Sequence, residues 1–264
     1  MNFLVAQIIS CYNPFETKER NLIKIYSFEK GIHMKAISKM KSLILKYRHA
    51  WVLLYGLIYM PWFCYLEKRQ TIHYLIHSPL DDYIPFVEYF IIPYLLWFVF
   101  LAVTGAYFFF TNRRDFYRLA AFLCSGMTIF LIVSYVYPNV LHLRPLEFPR
   151  ENVFTDAVRW LYRTDTPTNV LPSIHVFNSL AIHMSLTNCE ALRDKKAIRY
   201  GSLVLTLLII MSTMFLKQHS VIDVCCGATL ALFGYLFFYP QKAGEEARDV
   251  AVERFGRNKR GKRY

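Results

Sequence analysis

The sequence predicts an all-α fold, an integral membrane helix bundle with about six transmembrane helices, and three observations carry that prediction. Hydrophobic residues make up 55% of the 264 residues and charged residues 19%, whereas a soluble domain usually carries about 25% charged residues. The apolar residues fall in long runs instead of helical stripes, so the expected solvent is lipid. Basic residues crowd alternate connections, as they do on the cytoplasmic side of a bilayer.

The runs lie at about 50–66, 89–110, 117–137, 172–188, 200–216 and 219–239. Each is near the ~20 residues needed to cross the hydrocarbon core. Pro61 and Pro93 fall within the first two, where neighbouring helices absorb the lost backbone bond. Arg113, Arg114 and Arg118 follow the second run, and Arg193, Lys195, Lys196 and Arg199 follow the fourth. Those loops are therefore expected inside. The connection at 67–88 sets Lys68 and Arg69 against Glu67, Asp81, Asp82 and Glu88, and the one at 138–171 is balanced. These are expected outside, which leaves both termini cytoplasmic.

Three regions follow: a basic cytoplasmic segment over residues 1–48, a membrane domain over 49–240, and a basic cytoplasmic tail over 241–264. The net charge of +12 gathers at the two ends: 34–48 holds five Lys/Arg and no acid, and 241–264 holds eight against four acids. Beside membrane spans such charge sets orientation and touches anionic headgroups, so membrane lipids are expected partners and nucleic acid is not. No apolar stretch ending in small residues marks a signal peptide over 1–33, and Met34 is a candidate start. The six cysteines show no metal-ligand spacing and fall mostly in apolar runs, so neither a disulfide nor a metal or other cofactor is expected.

Three clusters carry chemistry. Arg144-Pro145 follows the third run, Pro172-Ser173-Ile174-His175 opens the fourth, and Ser212 to Asp223 joins the fifth to the sixth. His175 and His219 are 44 residues apart, one helix in and one helix out. Two spans of about 25 Å return the chain to the same face of the bilayer. His219 and Asp223 are four apart on a helix and so are neighbours on one side of it. A carboxylate that holds one ring nitrogen leaves the other a better nucleophile. Both lie in a first helical turn, where free N–H groups favour a bound phosphate. Ser173 offers donors at a helix start, His175 is placed to protonate a leaving oxygen, and the Arg144 fork matches two phosphate oxygens.

These clusters resemble the three signature motifs of the type 2 phosphatidate phosphatase superfamily, which run Lys-x6-Arg-Pro, Pro-Ser-Gly-His and Ser-Arg-x5-His-x3-Asp. The likeness covers residues 144–227, about a third of the chain. It implies that His219 is a nucleophile forming a phosphohistidine, Asp223 its partner and His175 the general acid. It also implies that Arg144, Ser173 and Ser212 bind phosphate, without metal. The chain departs from the pattern at Tyr137, Thr213 and Ile174, which stand where the family has lysine, arginine and glycine. Lys217 is close enough to replace one lost cation, as a point charge and not a fork. The expected activity is a lipid phosphate phosphatase acting on a phosphatidate or prenyl-pyrophosphate class of substrate, with water as acceptor. The alternatives are a lipid phosphotransferase like the inositol phosphorylceramide and sphingomyelin synthases, and a non-catalytic lipid-binding membrane protein.

Overall fold

A computed structural model describes residues 30, 34–35 and 37–240. The expected basic tail at 241–264, Cys11 and most of residues 1–33 lie outside the described residues. The chain divides into two units, residues 1–50 and 51–264. In the first, residues 37–46 are helical and expose Ile37, Met40, Leu43 and Ile44.

In the second unit seven α-helices are described: α1 (Tyr55–Lys68), α2 (Ile91–Thr111), α3 (Arg113–Val136), α4 (Val153–Thr164), α5 (Ile174–Asn188), α6 (Lys196–Phe215) and α7 (Val221–Phe238). Five segments are long and apolar enough to cross a membrane: Arg48–Lys68, Glu88–Thr111, Arg113–Val136, Lys196–Phe215 and Val221–Phe238. Only 17–33% of each span window is buried within the chain. The remaining apolar surface, including Phe98 and Val103 on α2, Leu207 on α6 and Phe233 and Phe237 on α7, faces outward. Water would not tolerate so much contiguous exposed hydrocarbon, and lipid does. The protein is an all-helical membrane protein.

The fourth apolar run, at 172–188, becomes α5, and it differs from the other five. It has 15 residues, nine of them buried, and at 1.5 Å per residue it is about 22 Å long, short of the ~30 Å hydrocarbon core. Helix α5 occupies the middle of the bundle, packed against α2, α3, α6 and α7. Protein surrounds it, so it needs little lipid-compatible surface and can carry His175, Asn178, Ser179 and Ser185. Two glycines set how closely it is wrapped. A Cβ on Gly126 of α3 would sit 2.0 Å from the Phe177 ring, and one on Gly227 of α7 would sit 2.6 Å from the Ser173 carbonyl oxygen.

The polar connections hold structure that the hydropathy pattern does not announce. Helix α4 lies in the 138–171 connection. Asn152 caps it, accepting from the Phe154 and Thr155 N–H groups at 2.9 and 3.0 Å, and it buries Val158 and Leu161. Two short strands, β1 (Tyr74–Leu75) and β2 (Asn139–Val140), pair in parallel with Tyr74 opposite Asn139. They tie the 67–88 and 138–171 connections together. Fully buried Glu88 accepts from Arg150 Nε and Nη2 at 2.8 and 3.0 Å, a second tie between them. Pro93 falls in the first turn of α2, where no intrahelical N–H is needed, so it introduces no kink.

Candidate functional site

The two histidine clusters meet because the starts of α5 and α7 are fastened to each other. The Ser173 N–H donates to the Asp223 carbonyl at 3.2 Å, and Gly227 one turn later leaves room for the Ser173 backbone. The His175 and His219 ring centroids are then 5.6 Å apart. Both side chains are buried, with 8% and 7% of their surface exposed.

Each ring is held differently. His175, in the first turn of α5, stands among aromatic rings of α2, with centroids 4.7 Å from Tyr94 and 4.5 Å from Trp97. His219 sits in the turn between α6 and α7. Its own N–H and that of Gln218 donate to the Thr213 carbonyl at 3.0 and 2.9 Å. Thr213 thus anchors the turn through its backbone carbonyl. His219 Nδ1 lies 3.4 Å from Asp223 Oδ2, a contact without hydrogen-bond alignment. That same oxygen accepts the Ser220 N–H at 2.9 Å, so Asp223 also closes the capping box of α7.

Arg144 is pinned beside this pair and is already engaged. Its guanidinium donates to the carbonyls of Tyr162 and Asp165 and to Gln218 Oε1 at 3.1, 2.9 and 2.6 Å, and it stacks on the Tyr162 ring at 4.4 Å. Burial lowers its pKa, and nearby Asp165 opposes that shift. The other three residues expected at a phosphate are placed elsewhere. The Ser173 hydroxyl caps α5 by accepting the Val176 N–H at 3.4 Å. The Ser212 hydroxyl donates to Ile209 O at 2.6 Å within its own helix. Lys217 Nζ donates to Asp81 O at 2.8 Å. Of the seven expected residues, His175, His219, Asp223 and Arg144 form one cluster, while Ser173, Ser212 and Lys217 shape its supports. Tyr137 stacks on Tyr74 at 4.5 Å and supplies no charge.

A cavity of about 50 Å³ opens onto the histidines, lined among others by Glu67, Asp165, Asn169, His175, Gln218 and His219. A larger polar hollow of about 540 Å³, lined by Arg114, Arg118 and Arg193, lies at the other ends of the helices and holds no paired histidines. Glu67, Asp165, Asn169 and Gln218 join the site beyond the residues that the sequence motifs point to. Asp165 accepts from the Tyr94 hydroxyl at 3.2 Å, and burial pushes its carboxyl pKa up while His219 and Arg144 pull it down. The Asn169 amide donates to Glu67 at 3.2 Å. Asn139, fully buried, holds the lining segment by accepting the Val170 and Leu171 N–H groups at 2.7 and 3.1 Å. For Glu67 and Asp165 the sequence signal is their place among the acids of the 67–88 and 138–171 connections.

Buried polar atoms without a hydrogen-bond partner among the described residues gather here: Arg144 Nε, Asn169 Oδ1, His175 Nδ1, Gln218 Nε2, His219 Nδ1 and Asp223 Oδ1. Buried polar groups are normally satisfied, so such a concentration marks a place built for a polar ligand or for proton transfer. Among the described residues no three His, Cys, Asp or Glu side chains are grouped to share a metal ion.

No family model matches the chain, and no solved structure matches it. The chain is 27% identical over 158 residues to "Uncharacterized protein MJ0662" of Methanocaldococcus jannaschii, a match covering 58% of this chain and 59% of that protein. The chain thus spans a little over half the length of that curated relative.

Proposed function

We propose that the chain is a membrane-embedded lipid phosphate phosphatase of the type 2 phosphatidate phosphatase kind, acting through a phosphohistidine on His219. One observation carries this reading: two buried imidazoles 5.6 Å apart, one of them 3.4 Å from a carboxylate, at the adjoining starts of two helices. One histidine attacks and the other moves the proton, and residues 44 apart in the chain meet where that division of labour needs them.

In the proposed reaction His219 Nε2 attacks phosphorus while the bond to the lipid oxygen breaks. His175 gives that oxygen a proton, so the lipid alcohol leaves neutral. A water molecule then attacks the phosphohistidine, His175 takes its proton, and inorganic phosphate departs with His219 regenerated. Asp223 stabilises the charge that develops on the His219 ring. Arg144 supplies positive potential beside the transferring phosphoryl group and holds Gln218, whose unpartnered Nε2 lines the cavity. A cavity of about 50 Å³ gives water a place beside the histidines, as the hydrolytic step needs. In this reading α5 also crosses the bilayer, as the fourth of six spans, both termini are cytoplasmic, and the histidines face the extracytoplasmic side.

The test is phosphate release by the full chain in detergent from phosphatidate, lysophosphatidate, prenyl pyrophosphate and phosphatidylglycerol phosphate, with and without chelator. Release that survives chelator and is inhibited by vanadate is expected. Activity lost in chelator and restored by magnesium would overturn the phosphohistidine reading. Orientation is read separately: a cysteine at Arg159 should react with an impermeant thiol reagent in intact cells and one at Lys195 should not, and the reverse pattern would turn the molecule over.

A further inference from the structure

The turn that carries His219 is fastened from far away in the chain. Asp81, in the short 3-10 helix Pro79–Asp82 of the first outer connection, is 1% exposed. Its Oδ2 accepts from the Ser220 hydroxyl at 2.6 Å and from the Ser78 N–H at 2.8 Å. Its Oδ1 accepts the Val221 N–H at 2.8 Å, and its carbonyl accepts from Lys217 Nζ at 2.8 Å. One residue thus grips both sides of Gln218-His219, across 136 to 140 positions of sequence.

The grip falls where the fold most favours an anion. Val221 opens α7, and the first N–H groups of a helix point outward with partial positive charge. Expected to receive a substrate phosphate, that helix start already holds the carboxylate of Asp81. The His219 ring itself has little of its own to hold it, since its contact with Asp223 is unaligned. The ring's place is therefore inherited from the backbone of the turn. That backbone is anchored to Thr213 and, through the Tyr162 hydroxyl on Leu216 O at 2.7 Å, to α4 on one side. On the α7 side it is anchored to Asp81.

We propose that Asp81 is a positioning residue for His219: a fixed internal anion on the first turn of α7 that sets the nucleophile's approach to phosphorus. The proposal rests on His219 being the nucleophile. Lys217 contributes by closing the turn in a left-handed conformation, with φ 53°, and tying it to the Asp81 carbonyl. The aspartate is specific to the task. Asparagine has one acceptor oxygen for two oxygens' worth of donors and carries no charge, and glutamate is one methylene too long for the same pair of contacts.

The test uses the full chain in detergent micelles as wild type, Asp81→Ala, Asp81→Asn and the control Asp82→Asn, whose carboxylate is exposed and bonds His77. Misplacing a reacting group by about 1 Å costs on the order of 100-fold. Asp81→Ala should lower kcat by about that factor with KM little changed, and Asp81→Asn should fall nearly as far. Excess formate, which fits the vacated place as a small carboxylate, should restore about tenfold in Asp81→Ala and nothing in Asp82→Asn or His219→Ala. A second readout needs no turnover: the ring signals of 15N-labelled His219 should shift or broaden in Asp81→Ala and return with formate. If Asp81→Ala keeps its kcat, or if its loss ignores formate and the His219 signals stay where they were, Asp81 does not position His219. If the wild type releases phosphate from no lipid while formate still moves the His219 signals, the phosphatase reading fails and the positioning stands.

Discussion

The two histidines at the centre of the site are fixed by opposite means. His175 stands on a regular helix start, and its ring is held by packing: Tyr94 and Trp97 of α2 enclose it, and no hydrogen bond to Nδ1 fixes its orientation. His219 stands in an irregular turn and is held through hydrogen bonds of its neighbours, Thr213 on one side and the Asp81 grip on Ser220 and Val221 on the other. A ring with no hydrogen-bond partner on Nδ1 breaks no such bond when it moves a proton, which suits the general-acid role proposed for His175. A network of directional bonds fixes a position in space, which suits a nucleophile that must line up with phosphorus.

Four outcomes would break or sharpen that contrast. The largest is expected for His219→Ala. Removing the nucleophile should reduce lipid phosphate hydrolysis to background and leave no acid-labile phosphate on the protein, and a variant that keeps substantial turnover would move the chemistry elsewhere. His175→Ala should lose about 10²–10⁴-fold on lipid substrates, the usual worth of a general acid. Much of that loss should disappear with a nitrophenyl phosphate, whose leaving group needs no proton. Loss of the same size on both substrates would show that His175 does more than supply one.

Gly227→Ala tests the fastening that brings the rings together. Its methyl group would meet the Ser173 carbonyl oxygen at 2.6 Å, which is backbone and cannot swing aside. Overpacking of this kind typically costs about 1–3 kcal/mol, and α5 and α7 should part at the site. A lowered melting temperature together with reduced turnover is expected, and a variant indistinguishable from wild type in both would remove the close approach from the account.

The smallest effect concerns Asp165, which burial holds above the usual carboxylate pKa. From about pH 4 up to that raised value, the folded state binds more protons than the unfolded one. Stability therefore falls as pH rises through that window. Asp165→Asn removes the titration, so its melting temperature should gain on wild type as pH increases across the window. Parallel melting curves for the two proteins at every pH would remove Asp165 from the pH response.

The apolar runs were readable because lipid solvation is a local demand. Whether residues 91–111 or 221–238 can cross hydrocarbon depends on those residues alone, and their helices start within a few positions of where the runs do. Helix α5 was readable as a helix, since Ser173 announces its start, but its central place was not, because a short run with histidine, serine and asparagine is ambiguous until its neighbours are known. Helix α4 was hidden for a similar reason: it is amphipathic, and amphipathic segments look polar to a hydropathy scan. Within the site, the meeting of His175 with His219 and Asp223 is legible in the two helix lengths that separate them. Ser173 and Ser212 carry the motif's hydroxyls, yet both spend them on helix backbone, which spacing does not disclose.

Taken alone, the sequence determines the apolar helices and the end of the bundle at which the histidines gather, since these follow from local hydrophobicity and from the two helix lengths that separate His175 from His219. Only the tertiary structure decides who satisfies whom. Arg144 gives its fork to Tyr162, Asp165 and Gln218, and the start of α7 takes Asp81. The physical reason is that a buried donor must find an acceptor wherever the folded chain puts one, and here some of those acceptors lie more than a hundred residues away.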